Sequence, residues 1–484
     1  MQYNNRRGFL KKAAAGTGGL LLGNMFGYAS AGALNEAVQE SARRSKHHKQ
    51  LFNMCGYAAP KLPVVRIGYV GIGNRGGWAV ERMMNIKNAE IVALCDTREV
   101  AVKGKQASLK AKGRPAATEY FGDVNAYKKL CENPNIDLVY IATPWEWHAN
   151  IAIYAMEHGK HVALEVPGAI TLEDCWKLVE TSERTKKHCM QLENCCYDFF
   201  ETLTINMAQQ GLMGEIVHGE GAYIHTLLDG FFHKPRNADD APGWRWKENL
   251  KNGNLYPTHG LGPVAQAMNI NRGDKMEYLT SMSTNDFMME PLAEKLAAGG
   301  DPYYQQFAGK HYRGNMNTSV VKTNKGKTIM IQHDVSTPRP YSRLHVLSGT
   351  KGYAQKYPEP GKIAFGHYFL EADKVKELEE KYTPEVVKHV AEAARVIGGH
   401  GGMDFIMDWR MIDCLRNGLP LDIDVYDLAC WSAITPLTTW SVTHRSNSID
   451  VPDFTGGSWK LNKPVDLSLR GGGNTAVISL NKEN

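Results

Sequence analysis

The sequence predicts an α/β fold in two parts: a doubly wound parallel sheet over residues 64–194, followed by an α+β domain over residues 195–484 with an open, mostly antiparallel sheet. In the first part, short apolar runs such as residues 64–70 and 136–142 alternate with helical segments such as residues 172–187. Continuous apolar runs are typical of strands buried on both faces. Their alternation with helices indicates parallel pairing.

Beyond Asn194 the pattern changes to longer strands with alternating polarity. Residues 319–323 and 328–333 flank a short polar turn that contains glycine, which predicts a β-hairpin. Residues 343–347 and 353–357 flank a second such turn. Because strands joined by short turns pair antiparallel, we expect this half to form an open sheet that closes against the first domain.

A glycine-rich turn follows the first apolar run. It contains three glycines and two polar residues: Gly71, Gly73, Asn74, Arg75 and Gly76. Such glycines allow a tight turn, a close approach to a pyrophosphate and close helix packing, and the helix N-terminus favours phosphate. Asp96 ends the second apolar run, where an acid accepts hydrogen bonds from the adenosine ribose and disfavours a 2′-phosphate. The segment therefore predicts a Rossmann domain that binds NAD rather than NADP.

Ligands bind doubly wound sheets beyond the carboxyl ends of the strands. The predicted strand ends place Asp96, the segment 145–148, Glu165 with Val166, and Asn194 at this edge. The segment 145–148 is expected to precede a helix over residues 149–158. These positions are the predicted cofactor and active-site region.

The first residues resemble a twin-arginine export signal. Arg6 and Arg7 precede Phe-Leu-Lys, and an apolar stretch over residues 13–22 is too short to span a bilayer. Small residues near position 31 offer a cleavage site, so residues 1–33 are predicted to be the signal and residues 34–63 a linker or arm. We expect the export machinery as a partner, a periplasmic or otherwise exported location, and a cofactor inserted before export. The alternative is a basic tail that happens to precede apolar residues.

Composition excludes several other classes. The formal charge of +5 is spread along the chain, so no basic tract predicts nucleic-acid binding, and no later apolar run predicts a membrane span. The nine cysteines show no C-x-x-C spacing, which argues against a metal site and against a disulfide framework. The outer face of the open sheet leaves a homodimer as a further expectation.

These motifs together resemble a known family. The glycine turn, the Thr-Pro-x-x-x-His segment ending at His148 and the Glu-x-Pro segment at Glu165 are similar to the glucose–fructose oxidoreductase and inositol dehydrogenase superfamily, over residues 64–427. In the sugar dehydrogenases of that group the middle residue of Glu-x-Pro is a catalytic lysine, whereas here it is Val166. The segments 145–148, 165–168, 254–260 and 400–404, with the export signal, resemble glycoside hydrolase family 109, which are exported NAD-dependent α-N-acetylgalactosaminidases.

The resemblance implies a redox-neutral hydrolysis of terminal α-N-acetylgalactosamine with retention. The sugar is oxidised at C3 with NAD as hydride acceptor, a base removes the C2 proton, and the glycosidic oxygen leaves by elimination. Water then adds at C1 and C3 is reduced again. NAD-dependent glycosidases are exceptions to the paired-carboxylate scheme, so no such pair is expected.

The resemblance also implies two sets of contacts. The residues expected to touch NAD are Gly71, Gly73, Asn74, Arg75, Gly76, Asp96, Trp145, Glu146, Trp147, His148, Glu165, Val166, Asn194 and Tyr256. The residues expected to line the sugar pocket are Tyr223, Arg245, Tyr256, Pro257, Thr258, His259 and Tyr341.

His259 is the candidate for handling the C3 hydroxyl proton, because imidazole titrates near neutrality. The alternative is that it caps the helix that follows. Tyr197 or Tyr256 is the candidate at C2, and either phenol would need a positively charged neighbour to ionise. Asp404 is expected to order a helix N-terminus rather than perform chemistry.

Three functions therefore remain open: the exported α-N-acetylgalactosaminidase, an exported NAD(P)-dependent sugar oxidoreductase, and a catalytically silent sugar-binding protein that keeps NAD as a structural element. Val166 in place of lysine argues against the second. The Tyr and His residues at 256 and 259 argue against the third.

Overall fold

The structure is a computed structural model that describes residues 31–236 and 240–478. The predicted export signal lies outside the described residues except for its last three positions. Within the described part of the chain, no helix is long and apolar enough to cross a membrane. The α-helices are Ala31–His47, Asn74–Met83, Glu99–Ala111, Ala126–Glu132, Trp145–Glu157, Leu172–Thr185, Phe199–Gln209, Leu228–Phe231, Arg245–Glu248, Thr258–Ala267, Met289–Ala298, Ala372–Tyr382, Glu385–Ile397, Met403–Asn417 and Val425–Thr443.

The N-terminal sheet has six parallel strands in the order β3-β2-β1-β4-β5-β6. They are β1 (Val65–Val70), β2 (Ala89–Asp96), β3 (Thr118–Phe121), β4 (Leu138–Ile141), β5 (His161–Leu164) and β6 (Cys189–Gln191). This is the strand order of dinucleotide-binding Rossmann domains, and it confirms the predicted doubly wound sheet. Val70 pairs with both Cys95 and Ile141, so the ends of β1, β2 and β4 lie at one edge.

The C-terminal sheet has eight strands in the order β13-β12-β11-β7-β10-β9-β8-β14. They are β7 (Ile216–Ile224), β8 (Met276–Ser283), β9 (Asn317–Thr323), β10 (Thr328–Asp334), β11 (Ser342–Gly349), β12 (Tyr353–Gln355), β13 (Lys362–Ala364) and β14 (Ile449–Asp450). The β7–β10 pair is parallel and the other pairs are antiparallel. Both predicted hairpins, β9–β10 and β11–β12, are confirmed.

The segment interpreted as a linker or arm starts with a helix, Ala31–His47, which packs against the helices Leu172–Thr185 and Val425–Thr443. Two indole N–H groups fix it, since Trp176 donates to Ser41 Oγ at 2.8 Å and Trp440 donates to Asn35 Oδ1 at 3.2 Å. The sequence did not predict this helix, because its apolar residues are few and most of their side chains are small.

All nine cysteines lie in the described residues and are free, which confirms the expectation that disulfides do not hold the fold together. Eight of them are buried and Cys55 is half-buried. The thiols therefore behave as small apolar groups within a core that extends from the Rossmann sheet into the C-terminal helices.

Candidate functional site

The glycine turn between β1 and the helix Asn74–Met83 has no room for side chains. Gly71 has a φ of +82°, and a Cβ there would lie 2.7 Å from the carbonyl oxygen of Ala142. A Cβ on Gly76 would lie 1.9 Å from the carbonyl oxygen of Gly71. Only glycine fits these two positions, and the bare backbone leaves space for a phosphate to approach the helix N-terminus. The turn therefore fits a dinucleotide.

Asp96 lies beside this turn at the end of β2. Its carboxylate accepts hydrogen bonds from the backbone N–H groups of Ile72 and Arg98, both at 3.0 Å, and lies 3.4 Å from Arg98 Nε. A cavity of about 490 Å³ opens here, lined by Ile72, Gly73, Asn74, Arg98, Val100, Ala101, Gly104, Lys105, Asp240 and Ala241. Sequence analysis missed Arg98 and Lys105, two basic groups at the expected adenosine end.

Arg75, Glu165 and Asn194, three of the residues expected to touch the cofactor, meet around one carboxylate. Arg75 Nε lies 2.6 Å from Glu165, and its Nη1 lies 2.7 Å from Asp404. Asn194 donates to Asp404 at 2.5 Å, and His400 Nδ1 lies 2.9 Å from it. Burial would raise the pKa of Asp404, but His400, Arg75 and Arg82 lower that pKa well below its ordinary range.

Asp404 is therefore ionised, and its contacts connect the Rossmann turn to the C-terminal helix Met403–Asn417. This differs from the predicted role, in which Asp404 ordered its own helix N-terminus. The carboxylate does lie in the first turn of that helix, but its partners are side chains: Arg75 and Asn194 of the first domain and His400, four residues earlier in the chain.

The segment 145–148 forms the first turn of a helix that begins four residues earlier than predicted, at Trp145. Helical geometry sends its side chains in different directions, and only Trp145 joins the aromatic cluster described below. Glu146 is exposed, and Trp147 packs against the main core. The two ring nitrogens of His148 both lie 2.8 Å from backbone carbonyl oxygens, those of Pro167 and Thr143.

The side chains of Trp147 and His148 pack into the scaffold, and their contacts with the cofactor stay predictions. Burial lowers the pKa of His148, although the contacts with the Pro167 and Thr143 carbonyl oxygens oppose this shift. The fully buried ring lies between the ends of β4 and β5.

An aromatic cluster lies where the two domains meet. Trp145 stacks on Tyr256 with ring centroids 5.4 Å apart, and Tyr256 lies 4.7 Å from Tyr223. The Arg245 guanidinium lies 5.5 Å from the Trp145 ring and 5.8 Å from the Tyr256 ring. A cation held over aromatic faces is stabilised by their quadrupoles. Val166 packs in the same cluster, so three predicted sugar-pocket residues, the predicted cofactor contact Trp145 and the lysine-free Glu-x-Pro segment converge here.

Two tryptophans that are close in the sequence pack in different places. Trp244 packs with Trp145 at 5.3 Å in the site cluster. Trp246 instead packs on Phe307 at 5.1 Å, in a separate apolar cluster. Trp244 is thus a candidate wall of the sugar pocket, whereas Trp246 fills a core.

His259 is brought to this cluster by a direct backbone contact. A Cβ on Gly221, in β7, would lie 2.3 Å from the carbonyl oxygen of Gly260, and a Cβ on Gly260 would lie 2.1 Å from the backbone nitrogen of Ala222. The helix Thr258–Ala267 therefore lies directly on the sheet. This contact sets the His259 ring 5.3 Å from Tyr223 and 4.9 Å from Tyr256.

Glu193 is the partner of His259, and sequence analysis missed it. The His259 Nδ1 lies 2.7 Å from Glu193 Oε1, and Glu193 is fully buried at the end of β6. Burial would raise the pKa of Glu193, but His259 and the backbone N–H of Cys195 lower it, so the carboxylate is ionised. An ionised carboxylate only accepts, so Nδ1 carries the proton and Nε2 is left to act as a base.

This arrangement excludes the capping alternative for His259, because its Nδ1 bonds a carboxylate 66 residues away rather than a backbone group of its own helix. Pro257 occupies the N-cap without a side-chain cap, and Thr258 is fully buried beneath the site.

Tyr197 does not reach this site. Its hydroxyl donates to Asp422 at 3.3 Å, and its side chain is 2% exposed within the core. Burial raises the pKa of Tyr197 well above 10. We therefore withdraw Tyr197 as a catalytic candidate, since its phenol is committed to a buried carboxylate.

Tyr256 and Tyr341 remain at the site. Burial raises the pKa of Tyr256 well above 10, although Arg245 opposes the shift, so Tyr256 is a hydrogen-bond donor rather than a base in this state. Tyr341 is 40% exposed, and its ring lies 6.4 Å from Tyr223. Its hydroxyl accepts a hydrogen bond from Arg343 at 3.1 Å.

Comparisons with known proteins agree with this architecture. Residues 197–461 match the family model described as glycosyl hydrolase 109, C-terminal domain, and residues 65–192 match the model for the oxidoreductase family, NAD-binding Rossmann fold. A Bacteroides fragilis protein named alpha-N-acetylgalactosaminidase is 48% identical over 422 residues, 84% of this chain and 96% of its own. A glycosyl hydrolase family 109 protein of a Shewanella strain is 44% identical over 473 residues, 96% of this chain and 99% of its own.

The fold is shared with more distant enzymes. Levoglucosan dehydrogenase in complex with NADH and levoglucosan superposes with a TM-score of 0.59 at 17% identity, over 80% of this chain and 99% of that one. The matched models and the identity to the bacterial relatives together confirm the resemblance found in the sequence. The chain therefore belongs to glycoside hydrolase family 109 and is a glycoside hydrolase with an oxidoreductase fold that binds NAD or NADP.

Proposed function

We propose that this enzyme hydrolyses terminal α-N-acetylgalactosamine, with NAD retained in the protein through each turnover. The observation that carries this proposal is the ionised Glu193–His259 pair beside the aromatic cluster. The name of the Bacteroides fragilis relative supports the choice of sugar. Arg245 lies over the aromatic rings and offers a polar group to a bound sugar. The rings offer apolar faces.

A bound nicotinamide would supply a reversible hydride acceptor for oxidation and re-reduction at C3 of the sugar. His259 Nε2 is the nitrogen available to take the proton of the C3 hydroxyl, and Glu193 stabilises the resulting imidazolium. Tyr256 keeps its proton and can donate a hydrogen bond to a developing oxyanion. The residue that removes the C2 proton is a separate group, because the Tyr256 phenol is not ionised.

Val166 supports hydrolysis over oxidoreduction. It is 3% exposed and packs against Trp145 and Tyr256, so no ammonium is present at the position where the related sugar dehydrogenases carry lysine. A net-neutral reaction needs no external electron acceptor, which suits a cofactor that does not exchange. The exported sugar oxidoreductase is the second candidate.

The choice of NAD over NADP, the twin-arginine export route and the periplasmic location belong to this proposal. Asp96 supports NAD through its position at the end of β2, where it bonds the backbone of Ile72 and Arg98, two residues that line the cavity at the adenosine end. Arg6 and Arg7 support export. Retention of the dinucleotide would allow turnover in a compartment that lacks a supply of it.

A substrate panel tests the sugar. The purified protein is incubated with chromogenic α-N-acetylgalactosaminide, α-galactoside and β-N-acetylglucosaminide, without added electron acceptor. Release from the first alone, with no net change in nicotinamide absorbance, supports the proposal. Turnover that requires an added sugar acceptor would favour the oxidoreductase.

Hydrolysis in heavy water is expected to place deuterium at C2 of the released sugar. The reason is that oxidation at C3 acidifies the C2 proton, which then exchanges with solvent through the base. Mass spectrometry and proton NMR of the product measure the exchange. Complete retention of the C2 proton would contradict elimination and indicate direct displacement. A 3-deoxy glycoside is the control, because it should bind without being cleaved.

The dinucleotide is expected to copurify and to resist dialysis. Mass spectrometry of the denatured protein should find NAD, whereas NADP or no dinucleotide would contradict the proposal. Asp96→Ala removes charged acceptors for the ribose hydroxyls and should weaken NAD binding by about 1–3 kcal/mol. Glu99→Ala, in the exposed first turn of the next helix, is the matched control and should leave NAD content unchanged.

A further inference from the structure

Three different metal-ligating groups meet at the base of the site. One carboxylate oxygen of Glu193, the sulfur of Cys195 and a ring nitrogen of His259 all lie within 4.8 Å of one another. They come from the end of β6, the 3-10 turn Asn194–Tyr197 and the first turn of the helix Thr258–Ala267. Glu193 and Cys195 are fully buried, and His259 is half-buried towards the aromatic cluster.

The protein does not fully satisfy one of the two buried groups. Within the described residues, Glu193 Oε2 is shielded from solvent and makes no hydrogen bond of ordinary geometry, although the neighbouring Thr258 hydroxyl is close enough to lower the pKa of Glu193. The Cys195 thiol donates a hydrogen bond of 3.6 Å to Asn194 Oδ1. A buried carboxylate oxygen without a donor is costly, and it has free lone pairs for a cation.

We propose that Glu193, Cys195 and His259 bind a thiophilic divalent cation, with Zn²⁺ as the best fit. A mixed set of sulfur, imidazole and carboxylate ligands favours zinc, whereas Mg²⁺ and Ca²⁺ prefer oxygen alone. Three protein ligands leave a fourth position of the tetrahedron, which water can occupy.

The cation and the acid–base pair exclude one another. The Glu193–His259 separation of 2.7 Å suits a shared proton. Zinc bonds of about 2.0–2.3 Å to each ligand require the ligands to stand farther apart. Binding therefore releases the Cys195 thiol proton to solvent and moves the His259 proton from Nδ1 to Nε2, so that the sulfur and Nδ1 each bond the metal. The consequence rests on the proposed function: a zinc-loaded enzyme lacks the His259 base and is reversibly inhibited.

Cobalt substitution tests the site without substrate. Co²⁺ is titrated into the purified, dinucleotide-loaded full chain, and the ultraviolet and visible spectra are recorded. A thiolate-to-cobalt charge-transfer band, removed by equimolar Zn²⁺, is expected. Cys195→Ser should abolish that band, and Cys55→Ser, which removes the half-buried thiol, should keep it.

The effect of each substitution on zinc affinity is measured by competition with a chromophoric chelator. Loss of an outer-shell partner already weakens metal binding by about 10–100-fold, so Cys195→Ser should weaken it by at least this much. His259→Ala is the second variant, in case the serine variant does not fold. Unchanged zinc affinity in either folded variant, or loss of the band in Cys55→Ser, would overturn the proposal.

Activity provides a separate readout. Zinc should inhibit glycoside release and a chelator should restore it, while Mg²⁺ at the same concentration should have no effect. If the cobalt band appears but no glycosidase activity is found, the metal site stands and the proposed function fails. If activity is found but zinc neither binds nor inhibits, the metal site is rejected and the proposed function stands.

Discussion

Replacing His259 by alanine is expected to lower turnover by about 10²–10⁴-fold, while the protein folds and keeps its dinucleotide. This is the range for removing a positioned acid–base group. The His259 side chain bonds Glu193 through Nδ1, which leaves Nε2 to face the aromatic cluster. The measurement is kcat on a chromogenic α-N-acetylgalactosaminide, with dinucleotide content determined on the same sample.

Two outcomes would contradict the assignment of His259. Near-normal turnover would show that another group handles the C3 proton. Loss of the dinucleotide or failure to fold would show that His259 is a structural residue. Thr258 is not a useful control, because it is fully buried. His158, an exposed histidine at the end of the helix Trp145–Glu157, is the control, and its replacement by alanine should leave turnover unchanged.

Glu193→Gln tests whether Glu193 supports the proton transfer by His259 or only fills space in the core. The amide keeps the size of the side chain but cannot stabilise an imidazolium or fix the Nδ1–H tautomer as a carboxylate does. Glu193 is therefore a positioning residue, and we expect kcat to fall with little change in KM. The pH profile should also change, because the ionised partner of the imidazole is gone. A variant with an unchanged profile would indicate that Glu193 only fills the core.

The Rossmann half of the fold could be predicted because its signals are local. The glycine turn, the apolar runs and Asp96 lie within 33 residues, from 64 to 96, and each has a direct structural requirement. Close packing at Gly71 and Gly76 shows why no other residue serves there. The hairpins were predictable for the same reason, since a short turn fixes the pairing of its flanking strands.

The site itself was only partly predictable, because its decisive contacts join distant segments. Glu193 and His259 are 66 residues apart, and the Gly221–Gly260 contact that aligns them is a property of the sheet and helix packing. Tyr197 was misassigned because a motif gives the type of a residue but not the direction in which its side chain points. Its phenol points to Asp422 in the core, which no local pattern reveals.

The segment 145–148 shows a related limit. A Thr-Pro sequence indicates where a helix can begin, and the prediction placed the helix start after His148 rather than at Trp145. Once the segment is helical, its four side chains cannot all face one ligand. Trp145 alone packs at the site, while His148 ties two backbone carbonyls together.

Asp404→Ala is expected to destabilise the protein by about 3–5 kcal/mol, the range for breaking a buried ion pair by removing one partner. Asp404 is 1% exposed and is the shared partner of Arg75, Asn194 and His400, so its loss leaves the buried Asn194 amide and the half-buried Arg75 guanidinium without this acceptor. Urea unfolding of the dinucleotide-loaded protein measures the change. Glu377→Ala, which breaks an exposed pair with Lys374, is the control and should have no measurable effect.

The effect of Asp404 should also depend on pH. His400, Arg75 and Arg82 lower the pKa of Asp404 well below that of an unfolded aspartate, about 3.9. The folded state therefore binds fewer protons, and the stabilisation by Asp404 is fully present above about pH 4 and declines as the pH falls further. The stability difference between the wild type and Asp404→Ala should be constant from pH 6 to 8 and should shrink below pH 4. A difference that stays constant down to pH 3 would show that Asp404 stabilises the fold by packing rather than by its charge.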